Sequence, residues 1–176
     1  MNAVAEQVGR RESAGKAENS AGPAIDASGR KSVSVGLIGA GIGVTACLVY
    51  GLTIQTRPAH IDEFYHLLVG QSWQRDGNFA LLDGSYTRAW VFTIIVGTFF
   101  DLFGQANLVI ARLPSVLAMS GCAALLFQWV ARPGRYVGAF CAVLLFSMAA
   151  YSFDIGHFAR FYALHALFIL GAAGCL

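Results

Sequence analysis

The chain has 176 residues, 56% of them hydrophobic and 12% charged, with a mean hydropathy of +0.59. Soluble domains carry about a quarter charged residues, so this composition indicates a membrane protein. The net charge of +2 comes without a basic patch interleaved with aromatics, which argues against a nucleic-acid binder.

Residues 1–32 are Ala/Gly/Ser-rich, contain no aromatic residue and follow no helical or strand period; they hold five of the twelve basic and four of the ten acidic residues. This is the composition of a disordered tail. Scattered charges followed by a long apolar run do not make a signal peptide. An uncharged stretch, 33–54, comes next and is long enough to cross a bilayer. Its glycines imitate a dinucleotide-binding turn. The pattern fails at Val44, and the helix that would follow has no polar face. Glycines so spaced suit the packed face of a membrane helix.

Where that span ends, the chain reads Ala-His-Ile-Asp-Glu-Phe-Tyr-His, placing Asp62 and Glu63 at a membrane boundary. Residues 60–73 have helical apolar spacing at Ile61, Phe64, Leu67 and Leu68, with the acids in the first turn, where the helix dipole favours them. That placement alone also fits an acidic helix start with no further role. A polar loop with two Asp-containing turns follows, up to Arg88. The apolar run 89–103 is short, contains Asp101 and opens at Trp90, which suits a helix lying at headgroup level.

Three more apolar runs are expected to span: 108–130, 136–153 and 161–176. The basic residues orient them. Arg30-Lys31 places the N-terminus in the cytoplasm, and Arg132 and Arg135 reach the same side if 89–103 lies flat. Asp154, His157 and Arg160 then join Asp62 and Glu63 on the outer side. Arg112 lies inside an apolar run, where it must snorkel or meet an anion, Glu63 and Asp101 being the carboxylates on offer. Cys47, Cys122, Cys141 and Cys175 sit in apolar runs without metal or disulfide spacing and read as small buried hydrophobes.

The Asp62-Glu63 pair with Tyr65 shortly after, the Gly-containing loop, Phe103-Gly104 with Ala111-Arg112-Leu113-Pro114-Ser115, and Ala159-Arg160-Phe161-Tyr162 together resemble the N-terminal part of C-type (GT-C) membrane glycosyltransferases. The branch they resemble contains protein O-mannosyltransferases and the aminoarabinose transferase of lipid A. The resemblance covers about residues 35–170, and departs from the family where a Pro-Pro pair often precedes the interfacial helix and Tyr86-Thr-Arg-Ala stands here.

It implies an all-α, multi-pass fold: about four spans in a domain 33–176, an outer loop 55–107 with two interfacial helices, and an incomplete GT-C module. It also implies a cell-membrane enzyme that moves a sugar from a polyprenyl-phosphate carrier to a glycan, lipid or protein acceptor on the extracytoplasmic side. Asp62 would be the general base and Glu63 its support or an acceptor-positioning group, with Arg112 and Arg160 on the carrier phosphate. Tyr65, His66, Arg88, Asp154 and Tyr162 complete the expected substrate-binding set. A divalent ion at Asp62 is left open, since the sequence shows no oxygen-ligand set. Two other classes compete: a non-catalytic membrane subunit or inactive fragment of such an enzyme, and a transporter. Transport is disfavoured because the acids follow a full-length span instead of interrupting one.

Overall fold

In the computed structural model, residues 27–82, 84–132 and 136–175 are described, and residues 34–176 form one compact unit. Most of the expected tail lies outside the described residues; the first helix, α1 (Ala27–Leu52), begins at Ala27, inside the stretch read as tail. The part of α1 within the compact unit is continuous, apolar and long enough to cross a membrane. Its outward residues, Leu37, Val44, Leu48 and Leu52, are exposed, as suits a surface covered by lipid.

Helix α2 (Ile61–Asp76) is set by its start. The His60 side chain accepts from the Asp62 N–H, and the Glu63 carboxylate accepts from the His60 N–H at 2.9 Å, a reciprocal cap. Gly77, in the left-handed region, ends the helix. The polar loop then folds into an antiparallel hairpin, β1 (Ala80–Leu81) with β2 (Gly84–Ser85), pairing Ala80 with Ser85 and Leu81 with Gly84.

Helix α3 (Trp90–Phe103) has 14 residues, about 21 Å of helix, which is too short to cross a hydrocarbon core of about 30 Å. It crosses α2 closely at Gly70 and Gly97. A Cβ added at Gly97 would lie 2.7 Å from Trp73 Cδ1 and 3.1 Å from the Gly70 carbonyl, so the contact requires glycine.

Helix α4 (Leu108–Val130) is the second helix long and apolar enough to span. The Asn107 side chain caps it by accepting from the Ile110 N–H at 3.0 Å. It runs through all three apolar clusters of the core: Ile110 and Ala111 meet Phe92, Val96 and Phe100; Val116 and Met119 meet Tyr50; Ala123 and Phe127 meet Ala139 and Val143. Val35 and Ile38 pack on the Phe127 cluster and Tyr50 on Met119, so α1 and α4 run antiparallel.

The expected span 136–153 is bent. Helix α5 (Tyr136–Met148) breaks at Ala149, and α6 (Ala150–His157) leaves at 64°. A break frees carbonyls that need donors, and the Tyr50 hydroxyl donates to Ser147 O at 3.5 Å. Helix α7 (Tyr162–Gly174), at 13 residues, is too short to span alone. Among the described residues, then, two helices meet the length and hydropathy of a span, or three if the bent pair counts as one; the expected count of four is not reached. The fold is helical and of membrane character.

Candidate functional site

The N-terminal ends of α2 and α4 and the segment between α6 and α7 meet at a fully buried ion pair. Arg112 is 2% exposed and Glu63 0%. Arg112 Nε and Nη2 donate to the two Glu63 carboxylate oxygens at 2.9 and 2.8 Å. Its Nη1 donates to the carbonyls of Ile54 (2.7 Å) and Arg57 (3.2 Å), and Nη2 also to that of Pro58 (3.4 Å). Every N–H of the guanidinium is thereby engaged. Glu63 is equally occupied, since it also accepts from the N–H of His60 at 2.9 Å and of Ala159 at 2.8 Å. A charge pair removed from water persists only when its hydrogen bonds are complete, and this one closes four separate segments onto one another.

The geometry corrects what was expected of two residues. Arg112 has no donor left for a phosphate, and Glu63 has no lone pair left for an acceptor. Of the partners the sequence offered Arg112, the structure selects Glu63; Asp101 is exposed on α3.

Asp62, one residue earlier on α2, turns the other way. It lines a pocket of about 330 Å³ together with Tyr65, His66, Tyr86, Arg88, Arg160, Phe161 and Tyr162. Six residues singled out from the sequence, Asp62, Tyr65, His66, Arg88, Arg160 and Tyr162, are thus brought together. The Asp62 carboxylate is paired with Arg160, whose guanidinium also sits 5.6 Å from the Tyr162 ring centre. Asp154, also expected here, is not among the residues that line the pocket; it pairs with Arg57 and ties the middle of α6 to the segment after α1.

His66 is buried at the back of the pocket. Its Nδ1 lies 3.4 Å from Thr93 Oγ1, and its ring meets Phe92 edge-on at 5.2 Å. Burial lowers its pKa to about 4, so it is a neutral imidazole at physiological pH. The donor set does not suit a divalent cation. Among the described residues Asp62 is the pocket's one carboxylate, its neighbours are two guanidiniums, and hard cations take several oxygens. No group of three His, Cys, Asp or Glu side chains gathers among the described residues.

A second cavity, of about 420 Å³, adjoins the first. It is lined chiefly by apolar groups, including Trp90, Phe92, Leu164 and Phe168, and it shares Arg88 and Phe161 with the polar pocket. Arg57, Arg112 and Arg160 are each ion-paired, whereas among the described residues Arg88 pairs with no carboxylate.

Sequence reasoning overlooked Tyr86 and the lining role of Phe161. A signal for Tyr86 was present: Tyr86 and Arg88 are two apart in a segment that leaves a strand, and side chains at that spacing share a side of an extended chain. No family model, curated protein or solved structure matches the chain.

Proposed function

We propose that the protein is a membrane glycosyltransferase that takes a sugar from a polyprenyl-phosphate carrier and passes it to a hydroxyl-bearing acceptor. One observation carries the reading: Arg88, without a carboxylate partner among the described residues, stands where a polar pocket containing a carboxylate meets an apolar groove. A ligand matching both halves has an apolar chain, an anion at the junction and a polar head. A lipid-linked sugar phosphate has that form.

The chemistry follows from the side chains in the pocket. The acceptor oxygen attacks the anomeric carbon and gives up its proton, which the Asp62 carboxylate accepts. The bond to the carrier phosphate breaks, and its developing charge falls to Arg88 and Arg160. Arg160 is paired with Asp62 beforehand, so an arriving phosphate draws it away and leaves the carboxylate free to act. Glu63 and Arg112 hold the frame on which Asp62, Arg160 and Tyr162 are mounted. In this reading the site faces the extracytoplasmic side of the cell membrane and the N-terminus is cytoplasmic.

The test is binding of a polyprenyl phosphate to the full chain in lipid nanodiscs. Loss of a charge-assisted contact is expected to weaken binding of the phosphate by about tenfold or more in Arg88→Ala. Unchanged affinity would reject the reading. It would favour a non-catalytic subunit, whose arginines serve only to pair helices, as Arg57, Arg112 and Arg160 do here.

A further inference from the structure

Three of the pocket's side chains are tyrosines: Tyr65, Tyr86 and Tyr162. Tyr86 is half-buried and Tyr65 and Tyr162 are exposed at the rim; among the described residues none of the three hydroxyls bonds to another protein group, which leaves all three open to a ligand. Their rings nevertheless have defined places. The Tyr86 ring lies 5.8 Å from that of Tyr65 and meets His66 edge-on at 5.6 Å; Tyr162 is held between Phe161 at 4.5 Å and the Arg160 guanidinium.

Tyr86 is placed by the hairpin. Its N–H donates to Phe79 O at 2.9 Å, which closes the base of the hairpin. Phe79 in turn stacks on Trp73 of α2, with ring centres 5.0 Å apart and planes 20° apart. The Ala80 N–H donates to Asn78 Oδ1 at 3.1 Å, fixing the start of the first strand. The hairpin is therefore a bracket that presents one aromatic ring to the pocket. Burial raises the Tyr86 pKa, with a smaller opposing effect from Arg88, and keeps the group a neutral phenol able both to donate and to accept.

A phosphate does not need such a wall, because two guanidiniums already answer it. Flat rings bearing unpartnered hydroxyls match a ligand with an apolar C–H face and a rim of hydroxyls. A pyranose has both. Rigid aromatic side chains also lose little conformational freedom on binding.

We infer that Tyr86 is a specificity residue that holds the transferred hexose, its ring against the sugar face and its hydroxyl on a sugar hydroxyl, with Tyr65 and Tyr162 completing the rim. The inference rests on the lipid-phosphate reading above and extends it from the carrier to the sugar.

The test measures two ligands on the full chain in nanodiscs: a short polyprenyl phosphate, and the same lipid phosphate carrying mannose or, in a separate arm, glucose. Wild-type protein should bind one sugar-bearing lipid about fivefold or more tighter than the bare phosphate. In Tyr86→Ala that increment should vanish while affinity for the bare phosphate is unchanged. Tyr86→Phe, which keeps the ring and the hairpin, should retain part of the increment and serves as the folded control. An increment that survives intact in Tyr86→Ala, or none in the wild type with either sugar, overturns the inference while the carrier reading stands. Failure of the wild type to bind the bare phosphate overturns both.

Discussion

Adjacent carboxylates on one helix have separate surroundings because successive residues on a helix point about 100° apart. Glu63 enters a site where Arg112 and two backbone N–H groups complete its shell; Asp62 enters the pocket. Their substitutions should separate accordingly. Glu63→Gln leaves Arg112 buried without a counter-charge and should cost about 3–5 kcal/mol, read as a large fall in detergent melting temperature. Asp62→Asn should leave melting nearly unchanged but lower transfer by about 10²–10⁴-fold, the usual loss for a general base. Near-normal transfer in Asp62→Asn would place the base elsewhere. Arg112→Lys belongs with Glu63, because an ammonium cannot replace the fork that engages Glu63 and three carbonyls.

His66 supplies a pH dependence whose sign is fixed. Its folded pKa, about 4, lies below the unfolded value near 6.5. Between those values the unfolded chain takes up a proton that the folded chain refuses, so stability falls as pH drops from about 6.5 towards 4. Melting temperatures at pH 7 and pH 5 should therefore converge in His66→Gln relative to wild type. An equal pH slope in both proteins would mean that other groups control the acid limb.

At the scale of elements, the α2–α3 crossing is the contact most sensitive to size. Gly97→Ala places a methyl within 2.7 Å of Trp73 Cδ1 and 3.1 Å of the Gly70 carbonyl. The tryptophan can move but the backbone cannot, so we expect a loss of about 1–3 kcal/mol by thermal or denaturant unfolding. Trp73 also carries the hairpin through Phe79, so the same change should disturb Tyr86 before it disturbs Arg112. The break at Ala149 has another character. No proline or glycine marks it in the sequence, and the apolar run 136–153 looks uniform. Its support comes from Tyr50, far away in the chain.

For the molecule as a whole, antiparallel packing of α1 and α4 places residues 34–38 and Arg132 at one end and the Asp62 pocket at the other. Arg30 and Lys31 immediately precede that first end in the sequence. If α4 crosses the membrane, single cysteines at Gln105 and Arg132, in a background lacking the four native thiols, should be labelled from opposite sides, Gln105 from outside. Labelling of both from one side would mean that α4 does not cross.

What the sequence determined by itself was local or compositional. Membrane character follows from hydropathy, helices from apolar spacing, the α2 start from the acids after His60, and the short length of α3 from counting residues. The grouping of Asp62 with Arg160 and Tyr162 was legible only through the order of motifs along the chain. The tertiary structure decided the partners. Arg112 could have met a phosphate, Asp101 or Glu63, because its charge specifies only the sign of what it must meet; packing three segments around the start of α4 fixed which anion was within reach. The same holds for the Ala149 break and for Tyr86. A carbonyl freed at a bend and a ring delivered by a hairpin depend on residues distant in the chain, and hydrophobic patterning carries no record of that distance.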